Sequence, residues 1–159
     1  MNPYKGQILL LVLSLAFVFG CKKKQSADEL SWISIEEADK LSKSGDKKFL
    51  VDVYTDWCGW CKVMDKKTFT DPEVIKYLNE NFHVVKFNAE QKEPVTFKGQ
   101  TYVWEPMGRN GVNMLGVELL QSNLSYPTLV YLDENLNSIA VSPGYKDPQQ
   151  LLSELKGLQ

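Results

Sequence analysis

Histidine is nearly absent and cysteine is scarce. One histidine, His83, stands in 159 residues, and the cysteines are three: Cys21, Cys58 and Cys61. A lone histidine excludes most multi-histidine metal sites. Three cysteines are too few for a disulfide framework, so the fold has to stand on its hydrophobic core. An excess of one charge is missing too. Eighteen basic residues face 20 acidic ones and no basic stripe stands out, which argues against nucleic acid as a partner. The one long apolar run, Ile8 to Phe19 (ILLLVLSLAFVF), rises roughly 18 Å as a helix, whereas a bilayer span needs about 30 Å. What remains, 43% hydrophobic and 24% charged, suits one globular domain.

With Lys5 ahead of it, the apolar run reads as the core of a signal peptide over residues 1–20. Its end, Val18 to Cys21 (VFGC), resembles a bacterial lipoprotein signal, in which the cysteine after a small residue is lipidated and becomes the mature N-terminus. The resemblance implies lipidation at Cys21. Phe19 departs from the small residue usual at its position. Lys22, Lys23 and Lys24 put more positive charge after the run than before it, which favours an uncleaved anchor. Residues 21–31 read as a solvated, lipid-anchored tether, and residues 32–159 as the folded domain.

From Trp32 on, helix and strand signals alternate. Ser34 caps a helix expected to reach about Ser44. Phe49 to Thr55 (FLVDVYT) is a strand with almost no polar alternation, which predicts burial on both faces. A helix starts at the cysteines, and Asp71–Pro72 opens another that runs to about Asn81. His83 to Asn88 is the next strand. Thr128 to Asp133 and Ser138 to Ser142 form an antiparallel hairpin, and Asp147–Pro148 caps a last helix. Residues 90–123 form an extended section. "VTFKGQTYVW" predicts a small hairpin turning at Lys98–Gly99, and "GVNMLGVELLQ" a helix. This order gives an α/β domain with a mixed central sheet and helices on both faces.

The stretch "DWCGWCK", Asp56 to Lys62, carries the chemistry. Zinc normally takes four ligands, and the domain has two cysteines and no second pair. Covalent haem wants histidine after the second cysteine, where Lys62 stands. A structural staple closing so small a loop gains little. Redox chemistry fits: at a helix start, Cys58 meets free N–H groups that favour a thiolate, which is the nucleophile. Cys61, one turn on, can attack a mixed disulfide at Cys58, and Gly59 leaves the approach uncrowded. Neither a cofactor nor a resident metal is expected.

"VDVYTDWCGWCK", "VVKFNAE" and "SYPTLVYLD" together resemble the thioredoxin fold over roughly Phe49 to Leu158. The similarity is to exported thioredoxin-like proteins with a tryptophan before each cysteine and a longer middle section. The resemblance implies thiol–disulfide exchange on protein disulfides outside the cytoplasm. It makes Cys58 the exposed nucleophile, Cys61 the resolving thiol, Asp52 a buried carboxylate that takes the Cys61 proton, and Lys86 its partner. It makes Pro127 a cis-proline that exposes the Tyr126 backbone to an extended substrate chain, and Trp57 matches the family's tryptophan platform by position. Trp60 stands where the family more often has proline or histidine. The implied partners are client proteins with disulfides or thiols, a membrane thiol relay as electron donor, and a bacterial membrane reached through the lipid anchor. That places the chain in the cell envelope, periplasmic or outward-facing. The rival reading is a non-enzymatic binding module for a client or a soft ion such as Cu(I), with Met64 adding a thioether. Phe97, Tyr102, Trp104 and Met107 are expected to pack the extra hairpin onto the sheet, with a docking surface near Cys58 as the alternative.

Overall fold

A computed structural model describes residues 28–107 and 110–158; the apolar run and Cys21 lie outside them. In chain order the elements begin with β1 (Trp32–Ile33), α1 (Ile35–Leu41), β2 (Lys48–Tyr54), α2 (Gly59–Lys67), α3 (Pro72–Asn81) and β3 (Phe82–Asn88). Two hairpins follow, β4 (Val95–Phe97) with β5 (Gln100–Tyr102) and β6 (Trp104–Met107) with β7 (Asn110–Asn113). The chain closes with α4 (Met114–Leu119), β8 (Thr128–Leu132), β9 (Ser138–Pro143) and α5 (Pro148–Gly157). Among the described residues no helix is long and apolar enough to cross a membrane.

The central sheet runs β1–β3–β2–β8–β9. β1 and β2 are parallel to β3, whereas β8 is antiparallel to β2 and to β9, so the sheet is mixed. β2 lies in the middle and is buried on both sides. Phe49, Val51 and Val53 join Ile35, Ala38, Leu115 and Leu119 on the face of α1 and α4. Leu50 joins Met64, Val74, Leu78, Leu151 and Leu155 on the face of α2, α3 and α5. The missing alternation in "FLVDVYT" is this double burial, and helices do cover both faces.

Local signals place the helix starts. Ser34 Oγ accepts from the Glu37 N–H (3.2 Å), and the Asp71 carboxylate accepts from Glu73 (2.9 Å) and Val74 (3.2 Å). Asp147 and Gln150 form a reciprocal capping box at 2.9 and 3.0 Å. Lys98 and Gly99 both take positive φ, which makes the tight turn of the first hairpin.

Four features depart from the sequence reading. β1 carries no pattern of its own; two residues become a strand because they pair with Val84 and Val85. α1 ends at Leu41, short of Ser44. The helix expected from Gly111 begins at Met114, because Gly111 to Asn113 pair with Trp104 to Pro106 and Asn113 caps the helix through Leu115 N–H (3.1 Å). The body also reaches back past Trp32: the Glu29 carbonyl accepts from Asn79 Nδ2 (3.0 Å), and Leu30 packs against the core. Losing a cap that satisfies orphan helix N–H groups destabilises by about 1 kcal/mol. Asp147→Ala is therefore expected to lower the urea midpoint by that equivalent without altering its slope, and equilibrium unfolding checks it.

Candidate active site

Tight geometry at the end of β2 sets the cysteines. β2 ends at Tyr54, the Cys58 N–H donates to the Thr55 carbonyl (3.1 Å), and α2 starts at Gly59 with Cys58 as its N-cap. The Cys58 sulfur accepts the Cys61 backbone N–H at 3.1 Å. An N–H aimed at that sulfur favours its thiolate when the pair is reduced. Cys58 and Cys61 are joined as a disulfide, with Cα atoms 5.3 Å apart. The expected contrast in exposure is not found. Cys58 is 4% exposed and Cys61 2%. In the disulfide each sulfur turns to the other, and that of Cys58 turns back onto its own helix, so position at the cap distinguishes them.

An ion network runs from a buried member, Asp52, to part-exposed ones, Lys86 and Asp65. Asp52 is fully buried and lies opposite Lys86 in the β2–β3 register. Lys86 Nζ donates to Asp52 Oδ2 at 2.6 Å and also to Asp65 Oδ1 of α2. The ammonium lies over the rings of Trp32 (4.8 Å), Tyr54 (5.0 Å) and Phe69 (5.5 Å). Burial raises the Asp52 pKa from 3.8 to about 6, against the pull of Lys86. Burial pulls Lys86 down, but the two carboxylates outweigh it, so its pKa lies above the ordinary lysine value. Among the described residues Asp52 Oδ1 has no hydrogen-bond partner. A cleft of about 460 Å³, lined by Trp32, Asp65, Phe69 and Lys86 among others, opens the outer end of this network to solvent.

Above the pair is an aromatic rim. Trp57 and Trp60 are 61% and 62% exposed, large areas for indoles in a body this small. Trp57 meets Tyr126 edge-on, with ring centroids 6.0 Å apart, and donates Nε1–H to both Glu90 oxygens at 3.0 Å. Trp60 leans on Tyr145 at 5.4 Å. The Tyr126–Pro127 bond is cis. The Pro127 carbonyl accepts the Gly144 N–H (2.8 Å), which ties the two loops together. Trp60, Tyr126, Pro127, Gly144 and Tyr145 line a cleft of about 350 Å³. Gly59 has open space where a Cβ would stand.

A family model described as a thioredoxin-like domain matches residues 35–159. The chain belongs to the thioredoxin-like family. It is 31% identical over 122 residues to the thiol:disulfide interchange protein DsbD of Tatumella citrea, an alignment covering 76% of this chain and 18% of that protein. Against DsbD of Escherichia coli (strain K12) it is 34% identical over 84 residues, 45% of this chain and 15% of the other. The chain thus spans less than a fifth of the length of these relatives. A putative disulphide-isomerase from Bacteroides thetaiotaomicron is similar in structure, with a TM-score of 0.57 and 27% identity over 84% of this chain and 96% of that one. A thioredoxin from Thermus thermophilus shares the fold, with a TM-score of 0.60 at 20% identity over 82% and 87% of the two chains.

Within this thioredoxin-like frame, three contributors escaped the sequence reading. Asp65 lies four residues after Cys61, one helical turn along the same face, so a signal for it existed. Glu90 and Tyr145 have none; strand ends and loops bring them to the rim. Met64 is wholly buried and belongs to the same core cluster as Leu78. Phe97 and Tyr102 are buried as expected, whereas Met107 is 47% exposed.

The raised Asp52 pKa has a definite sign in stability. Below the ordinary value of 3.8 the group is protonated in both states and folding bears no penalty. The penalty grows as pH rises and is complete above about 6. Asp52→Asn is therefore expected to be more stable than the wild type by about 2–3 kcal/mol near pH 8, with the gap closing toward about pH 4. Urea unfolding at the two pH values checks this.

Proposed function

We propose that this chain is a thiol–disulfide oxidoreductase of the cell envelope that acts on protein disulfides through Cys58 and Cys61. The observation that carries the reading is a Cys58–Cys61 disulfide at a helix start, in a domain whose central strand also holds a buried carboxylate of raised pKa. The names of relatives described as thiol:disulfide interchange proteins support it.

In the reducing direction, the Cys58 thiolate attacks one sulfur of a client disulfide. A bond forms between Cys58 and that sulfur, and the client's other sulfur leaves as a thiolate and takes a proton. The Cys61 thiol then gives its proton to Asp52 and attacks the Cys58 sulfur. The second client thiolate leaves, the client has gained two electrons, and Cys58–Cys61 is the disulfide described above. Asp52 then releases its proton to solvent, and Lys86 stabilises the carboxylate that remains. The cleft between Trp60 and Tyr145 and the Tyr126 backbone receive the client chain, with Trp57 and Gly59 bordering the sulfurs. A thiol donor restores the pair; a membrane relay fits an envelope location. Run backward, the same steps oxidise a dithiol, and the reduction potential sets the direction.

Lipid attachment at Cys21 belongs to this proposal and rests on the "VFGC" segment. Cells fed a labelled lipid precursor are expected to label the wild type and not Cys21→Ala; equal labelling of both would remove the anchor from the proposal.

The order of the thiols is tested by trapping. Cys61→Ser is expected to accumulate mixed disulfides with client proteins through Cys58, while Cys58→Ser traps almost none. Non-reducing gels with and without a thiol reductant read the outcome. Equal trapping by the two variants would overturn the assignment.

A further inference from the structure

The β6–β7 hairpin belongs to the extended section, and its far end comes to the active-site rim. Cross-strand partners share a face, so Glu105, Val112, Met107 and Asn110 point one way. Val112, on this face, is buried in the main core. Toward the far end of the face Met107 and Asn110 are exposed. Asn110 nonetheless has a partner. Its Nδ2 donates to Glu90 Oε1 at 3.2 Å, the same oxygen that accepts from Trp57 Nε1 at 3.0 Å. Glu90 is held from behind, where its N–H donates to Asn88 Oδ1 at 2.9 Å. The hairpin's base is fixed as well. Asn113 N–H donates to the Ala89 carbonyl (2.7 Å), and the Trp104 ring covers Gly111 so closely that a Cβ there would collide with it.

We infer that Asn110 is a positioning residue for Trp57, acting through Glu90, so that the inserted hairpin helps set the edge over which a protein client is recognised. The inference rests on the proposed redox role of Cys58–Cys61. An exposed carboxylate has several rotamers, and an exposed indole touching one ring edge-on is free to swing. Two donors converging on one Glu90 oxygen remove that freedom on both sides. Glu90 also stands near enough to Tyr126 to help push its phenol up, after burial, so one carboxylate addresses both aromatic groups on this side of the pair. A small disulfide needs only the sulfurs. A protein segment has to lie across Trp57, so the strut matters most for protein substrates.

The test uses the Trp57 indole N–H resonance, assigned by its loss in Trp57→Phe. Asn110→Ala is expected to shift that resonance and speed its exchange with water, without lowering the thermal midpoint. The same variant is expected to raise KM for a protein disulfide about two- to tenfold, the span of one hydrogen bond, with less change in kcat. Its effect on kcat/KM for a small aromatic disulfide is expected to be smaller. Asn110→Asp sets a second carboxylate against Glu90 and is expected to act more strongly on both readouts. An indole resonance unmoved in both variants, or equal losses on protein and small disulfides, overturns the inference. A wild type that turns over no disulfide of either kind defeats the redox proposal instead, and the indole resonance still decides the role of Asn110.

Discussion

A carboxylate held dry at the centre of the sheet constrains much of what surrounds it. Asp52 occupies a strand bonded on both sides and covered on both faces. An ionised carboxylate alone in such a place takes up a proton. Here the parallel register puts Lys86 directly across, and three aromatic rings line the ammonium. Asp65 then adds a second carboxylate from the helix that bears the cysteines. Loss of hydration outweighs attraction to Lys86, and the pKa settles at about 6. A general base works best when its pKa lies near the operating pH, and in the proposed mechanism this balance would supply that. Neither a solvated aspartate nor a buried, unpaired one would have it.

The two sides of the disulfide are built on different terms. On the Asp52 side, charge runs from one buried carboxylate through Lys86 to a part-exposed Asp65. Above the disulfide, apolar surface is left open to water on two indoles. Exposed tryptophan offers large contact area with little rotamer freedom to lose on binding. The loops that frame it are cross-tied by backbone and side-chain hydrogen bonds, Gly144 to Pro127 on one side and Trp57 to Glu90 to Asn110 on the other. The second tie joins the extended section to the rim, although most of that section's aromatic mass serves the core.

Most of the fold was legible because its determinants are local. Ser34, Asp71 and Asp147 announce helix starts by satisfying N–H groups two or three residues ahead. "FLVDVYT" announces double burial by lacking polar alternation, and Lys98–Gly99 announces a turn by its tolerance of positive φ. The β6–β7 hairpin was not legible. Its strands are four residues each, one includes a proline, and "GVNMLGVELLQ" carries a helical period that begins only after Asn113. β1 was invisible for a similar reason, since two residues hold no period at all.

By itself, the sequence determined the cysteine spacing at a strand-to-helix junction, the buried strand that carries Asp52, and the proline that precedes β8. Each depends on residues adjacent along the chain, where steric and capping preferences act. Tertiary structure alone decided which side chains complete the site. Strand register set Lys86 opposite Asp52, packing of α2 on the sheet brought Asp65 to the same ammonium, and the hairpin's docking carried Asn110 to Glu90. It also covered both sulfurs where the sequence pointed to one exposed thiol. Such contacts join residues 20 or more apart in the chain, and no local preference encodes them. They exist only once the apolar layers have fixed the distances between strands, helix and hairpin.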